Sequence, residues 1–521
     1  MTNHSPKRPN VLLIITDQQR ADHVGFGGND IVRTPNLDAL AARGTIFDRC
    51  YVANPVCMPN RSTILTGRVP SAHGCIFNDR SLAWSANTFV RSLRTAGYRT
   101  ALIGKSHIQH GLSSDQVHDA KLGAALGDPY PEGWDTWEDP DRYQAGPIDV
   151  PEDFYGFDHV EFAIGHGDVI AGHHLHWALE RGADRNLLGR VWGPDNPAKQ
   201  RYDGWWQVYQ PLVPESLYST TFVTEQSVSW LEDQRGTDEP WFLQCSFPDP
   251  HHPFTPPGDW WDAHDPAAMP IPDSFDDPLE DAPRHLRLIQ NLKPGRNPVQ
   301  MFGPTREQVQ HARAAEYGMI EMIDDGVGKV LAALERSGTA DDTIVIFTSD
   351  HGDMFGDHGL MLKGWMHYQA TLRVPLVIAL PHATPSRSQS MASSLDLAQT
   401  VLDLCGLDPY DGMQGASLRM LLEDPSEAVR DHVYIEDDNP NFRRMKVLPA
   451  KARTLITEAG RITRYASGET EVFDLKADPD EMKNLAGKPE GRDRRAHLTE
   501  RLADALIQYS DLAKPGPLVV E

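Results

Sequence analysis

Four short apolar runs in this chain are closely followed by residues that can bind metal or move protons. NVLLIIT (10–16) leads into Asp17 and Gln18, and TALIG (100–104) into Lys105 and His107. PWFLQCSF (240–247) leads into His251 and His252, and TIVIFTS (343–349) into Asp350 and His351. An unbroken apolar run of this length is the pattern of a strand buried on both faces of a parallel sheet. Open α/β sheets bind their ligands beyond the carboxyl ends of the strands. One polar pair after a strand means little, because polar residues cap most strands. Four pairs that bring Asp, Gln, Lys and His to one edge define a candidate active site. Asp17, Gln18, Asp350 and His351 offer carboxylate, amide and imidazole donors to one divalent ion. Oxygen-rich ligation suits Ca²⁺, and an imidazole moves the preference toward Mn²⁺. Taken alone, Asp17 also reads as the cap of a following turn.

The elements that must position these residues follow from the same patterning. Residues 34–44 read as a capped amphipathic helix, 62–68 as the start of a second and 87–97 as a third. A helix near 219–233 and a long one at about 305–336 follow, the latter with Met319, Ile320, Ile323, Val327, Val330, Leu331 and Leu334 at helical spacing. VPLVIAL (374–380) is a further buried strand. Residues 110–215 and 250–300, rich in Pro, Gly, Trp, His and Asp, read as irregular insertions over the sheet, where specificity commonly resides. The fold class expected is α/β: a large doubly wound, mixed but mostly parallel sheet flanked by helices. VYIEDD (433–438), ARTLITEA (452–459), RITRYAS (461–467) and EVFDL (471–475) predict a small antiparallel sheet, closed by a helix over about 491–510. We therefore expect a catalytic domain over 1–410 and a small α+β subdomain over 411–521.

Composition narrows the function. The 521 residues carry 40% hydrophobic and 24% charged side chains, as a soluble globular protein does. A net charge of -25 argues against nucleic acid as a partner. An anionic substrate would need a locally positive site. No apolar run is long enough to span a membrane. The N-terminal MTNHSPKRPNVLLII reads as a buried strand and not a signal peptide, so a cytoplasmic protein is expected. Five cysteines (Cys50, Cys57, Cys75, Cys245 and Cys405) without a C-x-x-C pair argue against a disulfide framework or zinc ribbon and read as buried thiols, with one exception.

That exception is Cys57, in VCMPNRS, a C-x-P-x-R pattern followed by S-x-x-x-T-G. With NVLLIITDQQRAD, TPNLDALAARGTIFDRCYV, DPHHPF, TIVIFTSDHGDMFGDHG and EVFDLKADPDEMKNLAG, it makes nearly the whole chain resemble the formylglycine-dependent sulfatases of the alkaline phosphatase superfamily. The resemblance implies an alkaline phosphatase-like fold and a Cys57 oxidised to formylglycine by a formylglycine-generating enzyme. It implies a metal site of Asp17, Gln18, Asp350, His351 and the modified Cys57. The aldehyde, hydrated to a diol, would attack sulfur through one hydroxyl and expel sulfate by using the other. Arg61 would hold the diol and the metal-site carboxylates. Lys105 and Lys363 would clamp the sulfate oxygens, His107 would act as base, and His251 would donate toward the leaving oxygen, with His252 a neighbour. Asn78 would touch the oxyanion, unless it is a turn residue. A homo-oligomer, dimer or tetramer, also follows from the resemblance alone.

Three functions remain open on these residues. The first is hydrolysis of a small-molecule sulfate monoester, aryl or small alkyl. The second is a phosphonate monoester hydrolase or phosphodiesterase of the same superfamily. Gln18 and His351, in place of the commoner Asp and Asn, resemble that branch, whereas Lys105 and His107 resemble true sulfatases. The third is a silent binding protein whose Cys57 stays a thiol. His173, His174 and His176 read as a polar wall of the substrate pocket, or less readily as a second metal site. Trp134, Trp137, Trp177, Trp192, Trp205 and Trp206 read mostly as packing.

Overall fold

The computed structural model describes residues 8–110, 130–185, 188, 193–293, 300–439 and 449–511. Trp192 lies outside them. The principal sheet has nine strands in the order β11-β2-β10-β9-β1-β8-β3-β4-β5. These are β1 (Asn10–Thr16), β2 (Thr45–Tyr51), β3 (Arg99–Gly104), β4 (His159–Ile164), β5 (Ala171–Gly172), β8 (Trp241–Ser246), β9 (Thr343–Ser349), β10 (Leu376–Ala379) and β11 (Ser386–Ser393). A separate hairpin holds β6 (Ala198–Arg201) and β7 (Tyr209–Pro211). Pairing in the principal sheet is parallel except where β10 meets β2 and β9 and where β5 meets β4. The expected mixed, mostly parallel sheet is the one observed.

β1 lies at the centre, every residue buried, between β8 and β9. Successive side chains on a strand face opposite ways. Val11, Leu13 and Ile15 accordingly enter one hydrophobic core, and Leu12 and Ile14 enter another on the opposite face. The second core is roofed by the helices Ser219–Asp233 and Arg306–Ser337. The long helix begins at a capping box, Thr305 with Gln308, and stops at Gly338 in the left-handed conformation. No described helix is long and apolar enough to cross a membrane.

Three features depart from the sequence reading. The second helix begins at Cys57 and not at residue 62, and all ten of its residues are buried. Its polar side chains, Asn60 and Arg61 among them, hide it from an apolar-periodicity reading. β2 and β11 went unread because Asp48 and Arg49 interrupt the apolar residues of β2 and β11 is SRSQSMAS, nearly all polar. The insertion over 110–215 is not wholly irregular: it supplies β4 and β5, the helix His173–Glu180 and the β6–β7 hairpin.

Four C-terminal strands, β12 (His432–Asp438), β13 (Lys451–Thr457), β14 (Gly460–Tyr465) and β15 (Thr470–Phe473), form the expected antiparallel meander. Tyr434, Leu455, Ile462 and Val472 pack on Leu498, Leu502 and Ala505 of the closing helix Arg492–Gln508. The other face is polar and buried. Arg461 is fully buried against Glu481 at 2.5 Å and Glu471 at 3.6 Å, and Tyr368 of the catalytic region donates to Glu471 at 3.0 Å. This face also reaches the loop after Lys363, whose Trp365 N–H donates to the Asp437 carboxylate at 2.9 Å.

Removing one partner from a buried ion pair leaves an uncompensated charge. Arg461→Met should therefore destabilise the fold by about 3–5 kcal/mol, read as a lowered urea midpoint. Arg461→Lys should lose less. Equal midpoints for wild type and Arg461→Met would show that Glu471 and Glu481 do not depend on this guanidinium.

Candidate active site

The carboxyl ends of β1, β3, β8 and β9 are tied to one another by main-chain hydrogen bonds. Asp17 N–H donates to the Asp249 carbonyl at 3.1 Å, Lys105 N–H to the Ser246 carbonyl at 2.8 Å, and Asp350 N–H to the Thr16 carbonyl at 3.1 Å. At Gly104, φ is 109° and a Cβ would overlap the Ser246 carbonyl oxygen, so only glycine lets β3 close on β8 here. These ties bring side chains more than three hundred residues apart to one edge, as the sequence expects.

Asp17, Cys57, Asp350 and His351 are all buried, and their ligand atoms lie within 4.8 Å of one another. Arg61 projects from the same helix as Cys57 beneath them. Its Nε donates to Asp350 Oδ2 at 2.7 Å, its Nη2 lies 3.5 Å from Asp17 Oδ2, and its Nη1 donates to the Lys105 carbonyl and Ser246 Oγ at 3.1 and 3.0 Å. Asn60, one residue earlier, donates to the Asp350 carbonyl at 2.6 Å. Asn78 accepts from Met58 N–H at 3.2 Å, at the first turn of this helix.

The donor set suits a hard divalent cation with one imidazole. The His351 Nδ1 faces the Gly352 carbonyl at 2.9 Å, which fixes the proton there and turns the Nε2 lone pair inward. Gln18 Nε2 donates to Asp353 Oδ2 at 2.6 Å, which presents Oε1 to the cluster. The Lys363 ammonium sits among these groups, 2.7 Å from Gln18 Oε1, 3.0 Å from His351 Nε2, 3.2 Å from Cys57 Sγ and 4.0 Å from Asp17 Oδ1. A side-chain cation thus already stands against the same donors, and the residues fit the metal that the sequence implies.

Burial alone would push the Asp17 carboxyl up, yet Lys105, Lys363 and Arg61 hold it well below the usual range. The Cys57 thiol is also lowered. Burial and Asp17 oppose ionisation there, and Lys363, Lys105 and His351 outweigh them. His107, His251 and His252 are held well below the usual imidazole value, first by burial and then by adjacent cations, so their resting state is neutral.

Every site residue named from the sequence lies at this edge or supports it. Lys105 ion-pairs with Asp17, and His252 packs on His251 with ring centroids 4.1 Å apart while it contacts Gln18 at 3.0 Å. The His173, His174 and His176 rings instead face the backbone carbonyls of Ile148, Leu217 and Tyr143 at 2.8–3.0 Å, which makes them structural. Trp177, Trp205 and Trp206 are core residues, and Trp137 is partly buried against the core. Trp134 packs on Tyr130 with ring centroids 4.7 Å apart and planes inclined by 51°.

Three residues escaped the sequence reading. Asp353 holds Gln18. Buried Glu138 accepts the N–H groups of His107, Ile108 and Gln109 at 2.6, 3.0 and 2.9 Å and so shapes the turn in which His107 has φ 52°. His166 follows β4 at the same sheet edge, with its Nε2 at 2.6 Å from Lys105 Nζ. The signal for it was a G-H-G after HVEFAI, a strand too polar to stand out.

With this geometry in hand, comparison with known proteins is decisive. The sulfatase family model matches residues 9–407. This chain belongs to the sulfatase family. Residues 356–508 match the C-terminal model of N-sulphoglucosamine sulphohydrolase. An arylsulfatase of Clostridium perfringens is 28% identical, with 96% of this chain and 94% of the relative covered. A choline-sulfatase of Rhizobium meliloti is also 28% identical, over 94% of this chain and 85% of its own length. Among solved structures, the phosphonate monoester hydrolase of Agrobacterium radiobacter superposes with a TM-score of 0.77 at 25% identity, with 96% of each chain covered.

The Glu138 contacts predict that this sulfatase loses activity when the turn around His107 is freed. Glu138→Ala should lower kcat/KM about 10²-fold, the scale of a misplacement near 1 Å. Glu138→Gln, which keeps an acceptor, should lose less. Unchanged kinetics in both variants would dissociate the turn from catalysis.

Proposed function

We propose that this sulfatase hydrolyses aryl or small alkyl sulfate monoesters. The observation that carries the reading is the pair of ammonium groups around residue 57, Lys363 at 3.2 Å from the Cys57 sulfur and Lys105 on Asp17, in the family whose members include an arylsulfatase and a choline-sulfatase. A sulfate monoester spreads one negative charge over three terminal oxygens and keeps it spread as the leaving-group bond breaks. Two fixed cations match that charge in the transition state.

In this reading Asp17, Gln18, Asp350, His351 and residue 57 hold one divalent ion, Ca²⁺ or alternatively Mn²⁺, which supplies Lewis-acid charge at that end of the site. Cys57 is the residue converted to formylglycine, whose hydrate offers one hydroxyl to attack sulfur and a second to release the product. Arg61 joins Lys105 and Lys363 in holding the Asp17 carboxyl low and fastens the Asp350 side chain in place. Lys105 and Lys363 grip the sulfuryl oxygens. His107, neutral at rest with no protein partner on Nδ1 among the described residues, is ready to take a proton. His251 turns Nδ1 to the His252 carbonyl, which leaves Nε2 to serve the leaving oxygen. For that Nε2 must carry a proton, and the negative charge of a bound ester favours this against burial and the nearby cations.

A phosphonate monoester or phosphodiester activity is the second reading. Gln18 and His351 and the superposition on the Agrobacterium phosphonate hydrolase favour it. Sulfate, phosphate and phosphonate esters with one common leaving group decide the order: we expect the highest kcat/KM for the sulfate, and a higher value for the phosphonate would reverse it. Lys105→Ala should cost sulfate turnover roughly 10²–10³-fold and phosphonate turnover less.

Two further outcomes test the nucleophile and the ion. Conversion of Cys57 lowers the intact mass by about 18 Da, and an unmodified thiol in active protein would remove formylglycine from the mechanism. Cys57→Ser should take up the sulfuryl group on its hydroxyl oxygen, with release of the alcohol, and hold it. The expected readout is a mass gain of about 80 Da without sustained turnover. Asp350→Ala should abolish both turnover and tight divalent-ion binding by chelator-treated protein, and near-wild-type turnover after chelation would refute the metal site.

A further inference from the structure

The lysine assigned to the sulfuryl oxygens, Lys363, rides on a loop with an unusual backbone. Leu362, Gly364 and Trp365, its immediate neighbours, have φ of 70°, 87° and 52°. The left-handed region suits the glycine, but leucine and tryptophan adopt it only where their surroundings leave no other choice. Both are 2% exposed. A lysine ammonium sits at the end of a flexible four-carbon stem. It can serve as a preorganised charge only if the backbone beneath it is held.

The loop is held from both sides. Before Lys363, Asp353 Oδ1 accepts the Leu362 N–H at 3.1 Å, the Leu362 carbonyl accepts the Met354 N–H at 3.0 Å, and the Met361 N–H donates to the Phe302 carbonyl at 3.0 Å. After it, Trp365 is fastened to the C-terminal sheet. Its N–H donates to Asp437 Oδ2 of β12 at 2.9 Å, and its ring packs with Ala452 of β13 and Tyr465 of β14. Its carbonyl faces His285 Nε2 at 3.2 Å, and the His285 ring meets Tyr465 edge-on with centroids 4.6 Å apart.

Asp437 is the polar member of this anchor, 1% exposed. The oxygen that accepts the Trp365 N–H also lies 3.3 Å from His367 Nε2, whose Nδ1 reaches Thr454 Oγ1 of β13 at 2.7 Å. Two strands of the C-terminal sheet thus fix a carboxylate against a main-chain N–H only two residues from Lys363. Without that acceptor the buried N–H would be left unpaired, a state that folded chains avoid by moving the backbone.

We propose that Asp437 is a positioning residue for catalysis: by fixing Trp365 it sets where the Lys363 ammonium can reach, so the C-terminal sheet completes the active site. The proposal rests on the reading that Lys363 grips the sulfuryl oxygens. Loss of the carboxylate would let the left-handed turn relax, and the Cα of Lys363 would move with it.

The test is a double-mutant cycle on kcat/KM for an aryl sulfate, with Asp437→Ala, Lys363→Ala and the two combined. Asp437→Ala should lose about 10²-fold, the scale of a misplacement near 1 Å. Asp437→Asn, which keeps an acceptor for the Trp365 N–H, should recover most of that loss. In the Lys363→Ala background, Asp437→Ala should cost no more than about twofold. A change that only lowered the folded fraction would cost the same factor with or without Lys363. Wild-type kcat/KM in Asp437→Ala, or the full loss repeated without Lys363, overturns the proposal. Asp437→Ser, smaller and still polar, repeats the cycle should the alanine variant fail to fold. Should the wild type turn over no sulfate ester, or Lys363→Ala match it, the function reading fails by itself. A crystal structure of the Asp437 variant then still decides the positioning, because it needs no substrate. We expect the Lys363 backbone to be displaced by about 1 Å or more, and an unmoved loop sinks the proposal.

Discussion

Two carboxylates without any exposed surface, Asp17 and Asp350, set the terms for this site. An ionised carboxylate deep in a protein must be met by positive charge and hydrogen bonds or it takes up a proton. The Arg61 guanidinium answers first, with its planar fork spanning from Asp350 toward Asp17 while its remaining donor reaches the ends of β3 and β8. A lysine could not reach three acceptors at the ends of three strands from one helix position. Much of the local architecture follows from that demand, including the burial of the Cys57–Thr66 helix and the joined strand ends.

The same charge pattern reconciles an acidic protein with an anionic substrate. The chain carries a net charge of -25, yet Arg61, Lys105 and Lys363 converge on buried Asp17, and Arg61 also pairs with buried Asp350. Low-dielectric walls concentrate the field of such a cluster, so a local excess of cations governs binding whatever the sign of the distant surface. Lys363 is the adaptable member. It rests against the metal-type donors in this structure, and a divalent ion there would free its ammonium for the ester.

Much of the site was legible because its residues directly follow apolar strands, where side-chain type and position in the chain coincide. Asp17, Lys105, His251 and Asp350 could be read in this way, as could the buried strands behind them. Cys57 and Arg61 depended on the C-x-P-x-R spacing, since their helix is buried on every side and shows no apolar stripe. His166 and Glu138 stayed hidden for another reason. They come from an insertion whose order is imposed by long-range partners: Asp168 by Tyr209, and the turn at His107 by a carboxylate about thirty residues on. Local periodicity carries no trace of such contacts. β2 and β11 were missed likewise, since their pairing in the sheet outweighs their polar composition.

The burial of Cys57 has a consequence for the timing of its chemistry. Its thiol has no exposed surface, and the segment around it is sealed by parts of the chain made much later. Asn54 donates to the Glu436 carbonyl at 2.6 Å, and Ser394 donates to Asn60 at 2.7 Å. No second protein can grip residues 54–61 once those contacts exist. Any enzyme that alters this side chain must therefore meet it before these contacts form, in competition with folding itself. A slower closure of the C-terminal strands would widen that interval, and the fraction of mature protein would record a race between two rates.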